Sequence, residues 1–110
     1  MTTITICKTV SGAYRGFTTF GHAEYAKRGK PDILCSAISA LVINAINSME
    51  ELYCEKMKVV TNDETGFIKC DFENSLQRES IVLMDSMIFG LENLSKTYGK
   101  KFLQVKFEEV

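Results

Sequence analysis

The chain has 110 residues, a length that supports one hydrophobic core, so we expect a single domain over residues 1–110. A formal net charge of -1 gives no electrostatic reason to expect direct nucleic-acid binding, and one proline with seven glycines excludes a collagen-like or linker-rich chain. No apolar run reaches the roughly 18 residues needed to span a bilayer, and the N-terminus does not resemble a secretion signal. We therefore expect a cytoplasmic protein that does not contact a membrane.

The first part of the chain predicts a β-hairpin followed by a loop. β-Branched residues are frequent from Thr2 to Val10, Ser11-Gly12-Ala13 has turn chemistry, and a strand pattern resumes from Tyr14 to Phe20. Gly21 to Asp32 has no useful periodicity, and we interpret it as an exposed loop of about a dozen residues, a length that is often functional.

A helix is predicted to follow this loop. Pro31-Asp32 ahead of Ile33 is a helix start signal, with Asp32 as the N-cap residue. Apolar residues then recur at helical spacing and predict one inward face: Leu34, Ile38, Leu41, Ala45, Met49 and Leu52.

The second half repeats the order of two strands and a helix, and then adds a strand. Strands are predicted at Lys56 to Asn62 and Gly66 to Phe72, around a turn at 63–66, and a helix from Ser80 to Tyr98 is ended by Gly99. Its predicted inward residues are Ile81, Met84, Ile88, Leu91, Leu94 and Tyr98, and Leu103, Val105 and Phe107 alternate in the last strand. The order ββαββαβ predicts an α+β domain with a mainly antiparallel five-stranded sheet and two packed helices.

Cys35 is the cysteine whose predicted position favours chemistry. It would occupy the third helical position, where backbone N–H groups without intrahelical partners and the helix dipole stabilise a thiolate. The dipole contributes only about 0.3–1 kcal/mol, so a base is also required. The four cysteines are scattered without a C-x₂-C pair, so we expect no metal and no cofactor.

His22 is the only histidine and the only candidate for that base. It follows the second predicted strand, and the loop after it leads to Cys35, so both side chains are expected at one rim of the sheet. Such a pair supports acyl transfer, with helix-start N–H groups as an oxyanion hole and Ser39, four residues after Cys35, on the same side. Each residue also has an interpretation without a catalytic role. These are a buried cysteine at Cys35, a surface histidine at His22, a helix cap at Asp32 and a solvent-facing serine at Ser39.

Two segments flanking the loop resemble one known family. Gly21-His22-Ala23 precedes the loop and Asp32-Ile33-Leu34-Cys35-Ser36-Ala37-Ile38-Ser39 follows it. In this order they resemble the signature of the ribosomal-processing cysteine proteases called Prp, and the likeness in length and predicted elements covers essentially the whole chain.

This resemblance implies a cysteine endopeptidase that removes a short N-terminal extension from a bacterial large-subunit ribosomal protein, the one numbered twenty-seven. It implies that Cys35 is the nucleophile and His22 the general base, and that Gly21, Asp32 and Ser39 support the site or bind substrate. It also implies a homodimer with a flexible loop between the histidine and the cysteine.

Two further hypotheses follow from the same residues. Ala23 to Pro31 would close over a bound peptide, and its basic tract Lys27-Arg28-Gly29-Lys30 is too short to indicate RNA binding. The alternative function is a non-catalytic module that binds a ribosomal protein or a ribosome precursor. Selective reaction of Cys35 with a thiol probe would favour the enzyme over that module.

Overall fold

The structure is a computed structural model that describes residues 1–27 and 29–110. Arg28, which belongs to the predicted basic tract and loop, lies outside the described residues. Seven elements follow one another in the predicted order ββαββαβ: β1 (Thr2–Lys8), β2 (Tyr14–Phe20), α1 (Ile33–Tyr53), β3 (Met57–Asn62), β4 (Phe67–Phe72), α2 (Arg78–Tyr98) and β5 (Leu103–Glu109).

The five strands form one mixed sheet in the order β3-β4-β2-β1-β5. The pairs β3–β4, β4–β2 and β2–β1 are antiparallel, and β5 pairs with β1 in parallel. A parallel neighbour requires a crossover connection, because the chain must return to the starting end of the sheet before it runs in the same direction. The predicted α+β class with a mainly antiparallel sheet is confirmed.

The helices cover one face of the sheet and leave the other open. Along β1, Thr2, Ile4 and Ile6 are buried while Thr3 and Thr5 are only half-buried, as expected where successive side chains point to opposite faces. Residues paired across neighbouring strands point to the same face, as Ile6, Phe17 and Cys70 do in β1, β2 and β4. The inward residues of these three strands therefore form one buried surface. The core they form with the helices includes Phe17, Cys70, Leu34, Val42, Met49, Met84, Leu91 and Leu103.

The buried faces of the two helices differ from the predicted ones at their ends. Leu52 is 68% exposed because it lies in the last turn of α1, just before Cys54 ends the helix in the left-handed region. Ile81 is 41% exposed because it lies near the start of α2, whose buried side there is occupied by Ser80. Helical periodicity predicts on which side of the helix a side chain lies, but it does not show how far along the helix the packing against the core extends.

The first helix is long and apolar enough to cross a membrane by length and composition. It has 21 residues, and an 18-residue window has a mean hydropathy of 1.5. By this measure the expectation that no apolar run reaches the length needed to span a bilayer is wrong for α1. Six side chains of α1 are buried, and they belong to the core above the sheet, so we interpret α1 as the core helix of the domain.

The connection between β1 and β2 is longer than the tight turn predicted at Ser11-Gly12-Ala13. β1 ends at Lys8 rather than Val10, and its register with β2 shifts between Cys7 and Lys8. Thr9 organises the turn, because its N–H donates to the Ala13 carbonyl and its hydroxyl accepts from the Ala13 N–H.

Candidate active site

Cys35 and His22 line the same cavity, which has a volume of about 180 Å³. β2 delivers Gly21 and His22 to its rim, and the first turn of α1 delivers Cys35. Gly21 and Ser39 line the same cavity, so four of the five residues singled out from the sequence meet there. The fifth, Asp32, lies beside it.

Asp32 links the loop to the start of α1. Its Oδ1 accepts a hydrogen bond from the Cys35 N–H at 3.0 Å, which makes it the predicted N-cap. Its Oδ2 accepts from the N–H groups of Tyr25 at 2.8 Å and Ala26 at 3.3 Å. One carboxylate therefore fixes both the loop that follows His22 and the turn that carries Cys35.

The Asp32 carboxyl has a pKa below its ordinary value. Burial alone raises this pKa, but hydrogen bonds from the backbone N–H groups of Cys35, Ala26, Tyr25 and Leu34 act against it and prevail. Asp32 is consequently ionised at neutral pH, where it can accept all of these bonds.

Hydrogen bonds at the N-cap of α1 occupy backbone N–H groups that the sequence analysis predicted to form an oxyanion hole. The Cys35 N–H donates to the Asp32 carboxylate, and the Ser36 N–H donates to the Asp32 carbonyl at 3.0 Å. The expectation of unpaired helix-start donors is therefore wrong at these two residues. An oxyanion formed next to Cys35 must be met by another donor or by rearrangement of the cap.

His22 contacts the turn between β3 and β4. Its Nε2 lies 3.0 Å from the carbonyl oxygen of Glu64, and the N–H of the neighbouring Gly21 donates to the Thr65 carbonyl at 3.1 Å. The turn itself was predicted from the sequence at residues 63–66, but its contact with His22 was not. No local signal reports that contact, because the two residues are 42 positions apart.

Gly21 is required by its conformation and its neighbours. Its φ of +90° lies in a region that residues with side chains rarely adopt, and a Cβ there would collide with the Met1 carbonyl. The Thr2 hydroxyl donates to the Gly21 carbonyl at 3.1 Å and fixes this close approach. The segment that carries His22 is thus held against the N-terminal strand on one side and the β3–β4 turn on the other.

A second, open groove of about 780 Å³ runs along the exposed side of α1. Cys35, Ser39 and Ile43 line both this groove and the smaller cavity. Ser39 lies on the same side of the helix as Cys35, as predicted, and its side chain is exposed. Cys35 therefore lies where the smaller cavity meets the open groove along α1.

The loop after His22 is anchored near its start. Ala23 is 1% exposed, and the Tyr25 ring packs edge-on against the rings of Tyr98, at 4.9 Å between centroids, and Phe102, at 5.1 Å. The sequence prediction treated the whole segment as exposed loop, and this is wrong for Ala23.

The other cysteines lie in less reactive or more distant settings. Burial raises the pKa of the Cys70 thiol to about 12, and its Sγ lies 3.6 Å from the Met57 sulfur. Burial, with help from the charges of Glu108 and Asp71, also raises the pKa of Cys7. Cys54 is exposed at the end of α1. Residues 1–27 and 29–110 contain no group of three or more His, Cys, Asp or Glu side chains arranged to hold a metal ion.

Comparison with known protein families shows to which family the chain belongs. The family model described as cysteine protease Prp matches residues 1–103. The chain belongs to the Prp family of cysteine proteases. The predicted family and enzyme class are confirmed, and the comparison favours an enzyme over the non-catalytic module.

Prp proteins of two bacteria are similar to this chain in sequence. The ribosomal processing cysteine protease Prp of Bacillus subtilis (strain 168) is 28% identical over 86 residues, which cover 74% of this chain and 76% of that protein. The protein of the same name from Staphylococcus aureus (strain Mu50) is 22% identical over 100 residues, covering 91% of this chain and 93% of that protein.

Solved structures share the fold. The S. aureus Prp protease with a covalently linked product peptide superimposes with a TM-score of 0.89 at 20% identity, covering 98% of this chain and 100% of that one. A Streptococcus mutans protein superimposes with a TM-score of 0.84 at 22% identity, covering 100% of this chain and 96% of that one. The Prp fold is therefore present over the full sheet and both helices.

Proposed function

We propose that this Prp protease removes the N-terminal extension of the bacterial large-subunit ribosomal protein numbered twenty-seven, with Cys35 as nucleophile and His22 as general base. The observation that carries the proposal is the shared cavity, in which the only histidine of the chain and a cysteine of the first helical turn line one recess. A thiol and an imidazole at one site are the groups that covalent hydrolysis of a peptide requires.

The proposed reaction has two halves. His22 takes the proton of the Cys35 thiol, the sulfur attacks the scissile carbonyl carbon, and the protonated imidazole then gives its proton to the departing amine as the C–N bond breaks. Water, deprotonated by His22, attacks the resulting thioester carbonyl. The acid product leaves, and the proton returns to the sulfur.

The surroundings of Cys35 support an extended peptide as substrate. The open groove along α1 gives room for several residues of an extended chain, and the smaller cavity beside His22 gives room for a single side chain. The related S. aureus protease binds a substrate peptide and forms a covalent link with a product peptide. We propose the same use of the groove here.

Three further residues have supporting roles in this proposal. Gly21 sets the backbone direction that brings His22 to the cavity, and Asp32 holds the Cys35 turn against the loop. Ser39, exposed between the two recesses, binds the peptide substrate. We also propose that the protein acts in the cytoplasm, where ribosomes are assembled, and that it does so as a homodimer.

Mass spectrometry of the ribosomal protein after incubation with the enzyme tests the proposal. We expect one cut within the N-terminal extension, and we expect Cys35→Ser and His22→Ala each to abolish it while the protein remains folded by circular dichroism. Cys54→Ser is the matched control, because this exposed cysteine lies at the other end of the same helix. Cleavage retained by either site variant refutes the assignment of that residue.

A further inference from the structure

The hydrogen bond between His22 and the β3–β4 turn has a chemical consequence for the proposed base. A carbonyl oxygen only accepts hydrogen bonds, so Nε2 of His22 must carry the proton when it bonds the Glu64 carbonyl at 3.0 Å. In a neutral imidazole, Nδ1 is then the nitrogen with a free lone pair. The partner of one ring nitrogen thereby determines which nitrogen acts as the base.

We propose that the β3–β4 turn, residues 63–66, is the third component of the catalytic site. Through the Glu64 carbonyl it holds His22 in the Nε2–H form, so that Nδ1 accepts the Cys35 proton. This inference rests on the proposed role of His22 as the base. The turn acts as a positioning element, because it touches the histidine and not the reacting atoms.

The turn is itself fixed on both sides of the Glu64 peptide group. The Glu64 N–H donates to the Asn62 side-chain oxygen at 3.1 Å, and the following Thr65 carbonyl accepts from the Gly21 N–H at 3.1 Å. The Gly66 N–H also donates to the Asp63 carbonyl at 3.3 Å. None of these hydrogen bonds uses the Glu64 side chain, so its substitution should leave the Glu64 carbonyl in place.

Gly66 allows the turn to approach the histidine. A Cβ at this position would lie 2.7 Å from the Gly21 carbonyl oxygen and 3.2 Å from Cε1 of His22, and φ is +63°. A methyl group at this position does not fit against Gly21 and the His22 ring while the bonds from Gly21 to Thr65 and from His22 to Glu64 persist. Gly66→Ala is consequently a change that separates the turn from His22 without altering a reacting group.

Gly12 provides a matched control. Its φ is +89°, so alanine there meets the same kind of backbone strain, yet no atom lies within 4 Å of its added Cβ in the described structure. Any effect that appears in Gly66→Ala and is absent in Gly12→Ala comes from the contact with the Gly21–His22 segment rather than from strain alone.

Nuclear magnetic resonance reads the ring directly, since the chain has one histidine. In protein labelled with ¹⁵N-histidine, at a pH high enough for the ring to be neutral, we expect long-range ¹H–¹⁵N correlations to place the proton on Nε2 only. Gly66→Ala should lower the Nε2–H fraction and add the Nδ1–H form, and Gly12→Ala should keep the wild-type tautomer. A proton on Nδ1 in the wild type, or equal tautomer populations in the wild type and Gly66→Ala, overturns the proposal.

Kinetics supply the second readout. A general base contributes roughly 10²–10⁴-fold, so loss of its orientation in Gly66→Ala should lower kcat at least about tenfold with little change in KM. If Gly66→Ala does not fold, Asn62→Ala, which removes the side-chain bond to the Glu64 N–H in the wall of the cavity, should lower both the Nε2–H fraction and kcat by a smaller factor. Unchanged kcat in a variant with a lowered Nε2–H fraction contradicts the positioning role, whereas full activity of His22→Ala instead contradicts the proposed function.

Discussion

The Asp32 carboxylate and the backbone N–H of Cys35 are joined by a hydrogen bond of 3.0 Å. The candidate nucleophile is thus tied to the residue that begins its helix. Because the other oxygen of the same carboxylate receives the N–H groups of Tyr25 and Ala26, the helix start and the loop are one hydrogen-bonded unit. Substitutions of Asp32 should therefore change stability and activity together.

Asp32→Ala should lower the free energy of unfolding by about 1–2 kcal/mol, the usual cost of losing an N-cap side chain. Asp32→Asn should lower the free energy of unfolding by less than Asp32→Ala, since asparagine is a good N-cap residue. It should still lower it, because the amide has only one oxygen to replace the two that accept hydrogen bonds in Asp32. Urea denaturation measures both. Cleavage assays should show the same order, wild type above Asn above Ala, and an alanine variant of wild-type stability would contradict the role of the cap.

The stabilising effect of Asp32 should depend on pH in a defined direction. The folded-state pKa of this carboxyl lies below the ordinary value of 3.8, so its contribution is fully present above that value and is lost as pH falls through the lower, folded-state pKa. We expect the stability difference between wild type and Asp32→Asn to be constant near neutral pH and to shrink as the pH falls below 3.8. A difference that grows in acid would contradict this sign.

Alkylation should distinguish the cysteines. The buried Cys70, with its pKa raised to about 12, should remain unmodified by iodoacetamide near pH 7 in the native protein, and Cys7 should react slowly. In a Cys54→Ser background, which removes the exposed thiol, peptide mapping should find the label at Cys35. His22→Ala in that background should slow the labelling, and an unchanged rate would argue against the pairing of the two residues.

Thr19 presents a buried polar group at the candidate site. Within residues 1–27 and 29–110 its Oγ1 has no hydrogen-bond partner, and the residue is 5% exposed in the wall of the cavity that Cys35 and His22 share. Thr19→Val keeps the shape and removes the unpaired hydroxyl, so it should stabilise the protein by about 1 kcal/mol and raise Tm by about 4 °C.

Ser80 is the matched control for Thr19. Its hydroxyl is equally unpartnered within the described residues, but it lies in α2 under the other part of the core. Because both hydroxyls are buried away from a bound peptide, we expect Thr19→Val and Ser80→Ala each to raise Tm and to leave KM unchanged. Thermal unfolding and steady-state assays of both variants check this, and a lower Tm in Thr19→Val would contradict the cost assigned to its unpaired hydroxyl.

Tyr25 should control the mobility of the loop. Its ring makes two edge-on contacts, each worth about 0.5–1.5 kcal/mol beyond area burial, so Tyr25→Ala should release the segment between His22 and Cys35. Trypsin cleavage after Lys27 should become faster in the variant. A substrate peptide should slow this cleavage in the wild type, and equal cleavage with and without the peptide would contradict closure of the loop over substrate.

The sequence was sufficient for the features that depend on local chemistry. Asp32 before Ile33 predicted the start of α1 at the residue where it occurs, and strand alternation predicted the elements that form the sheet. The position of Cys35 in the first helical turn followed from that start. The catalytic roles of Cys35 and His22 remain predictions that the experiments above test.

Other features depend on contacts between distant residues, which no local pattern contains. The Glu64 carbonyl meets His22 only because β4 pairs with β2, and Tyr25 meets Phe102 only because α2 returns the chain to that end of the sheet. Likewise, Leu52 has the periodicity of a core residue but lies beyond the packed part of its helix. Tertiary pairing decided these cases.

The close packing of Met1 against Gly21 affects how the protein should be produced for experiments. Thr2 lines the cavity with His22, so a purification tag fused ahead of Met1 would emerge beside the residues whose kinetics are to be measured. β5 runs parallel to β1, so Val110 lies at the opposite end, about 20 Å away for a seven-residue strand, where its N–H donates to the Lys8 carbonyl. A tag joined there leaves the substrate entrance unobstructed.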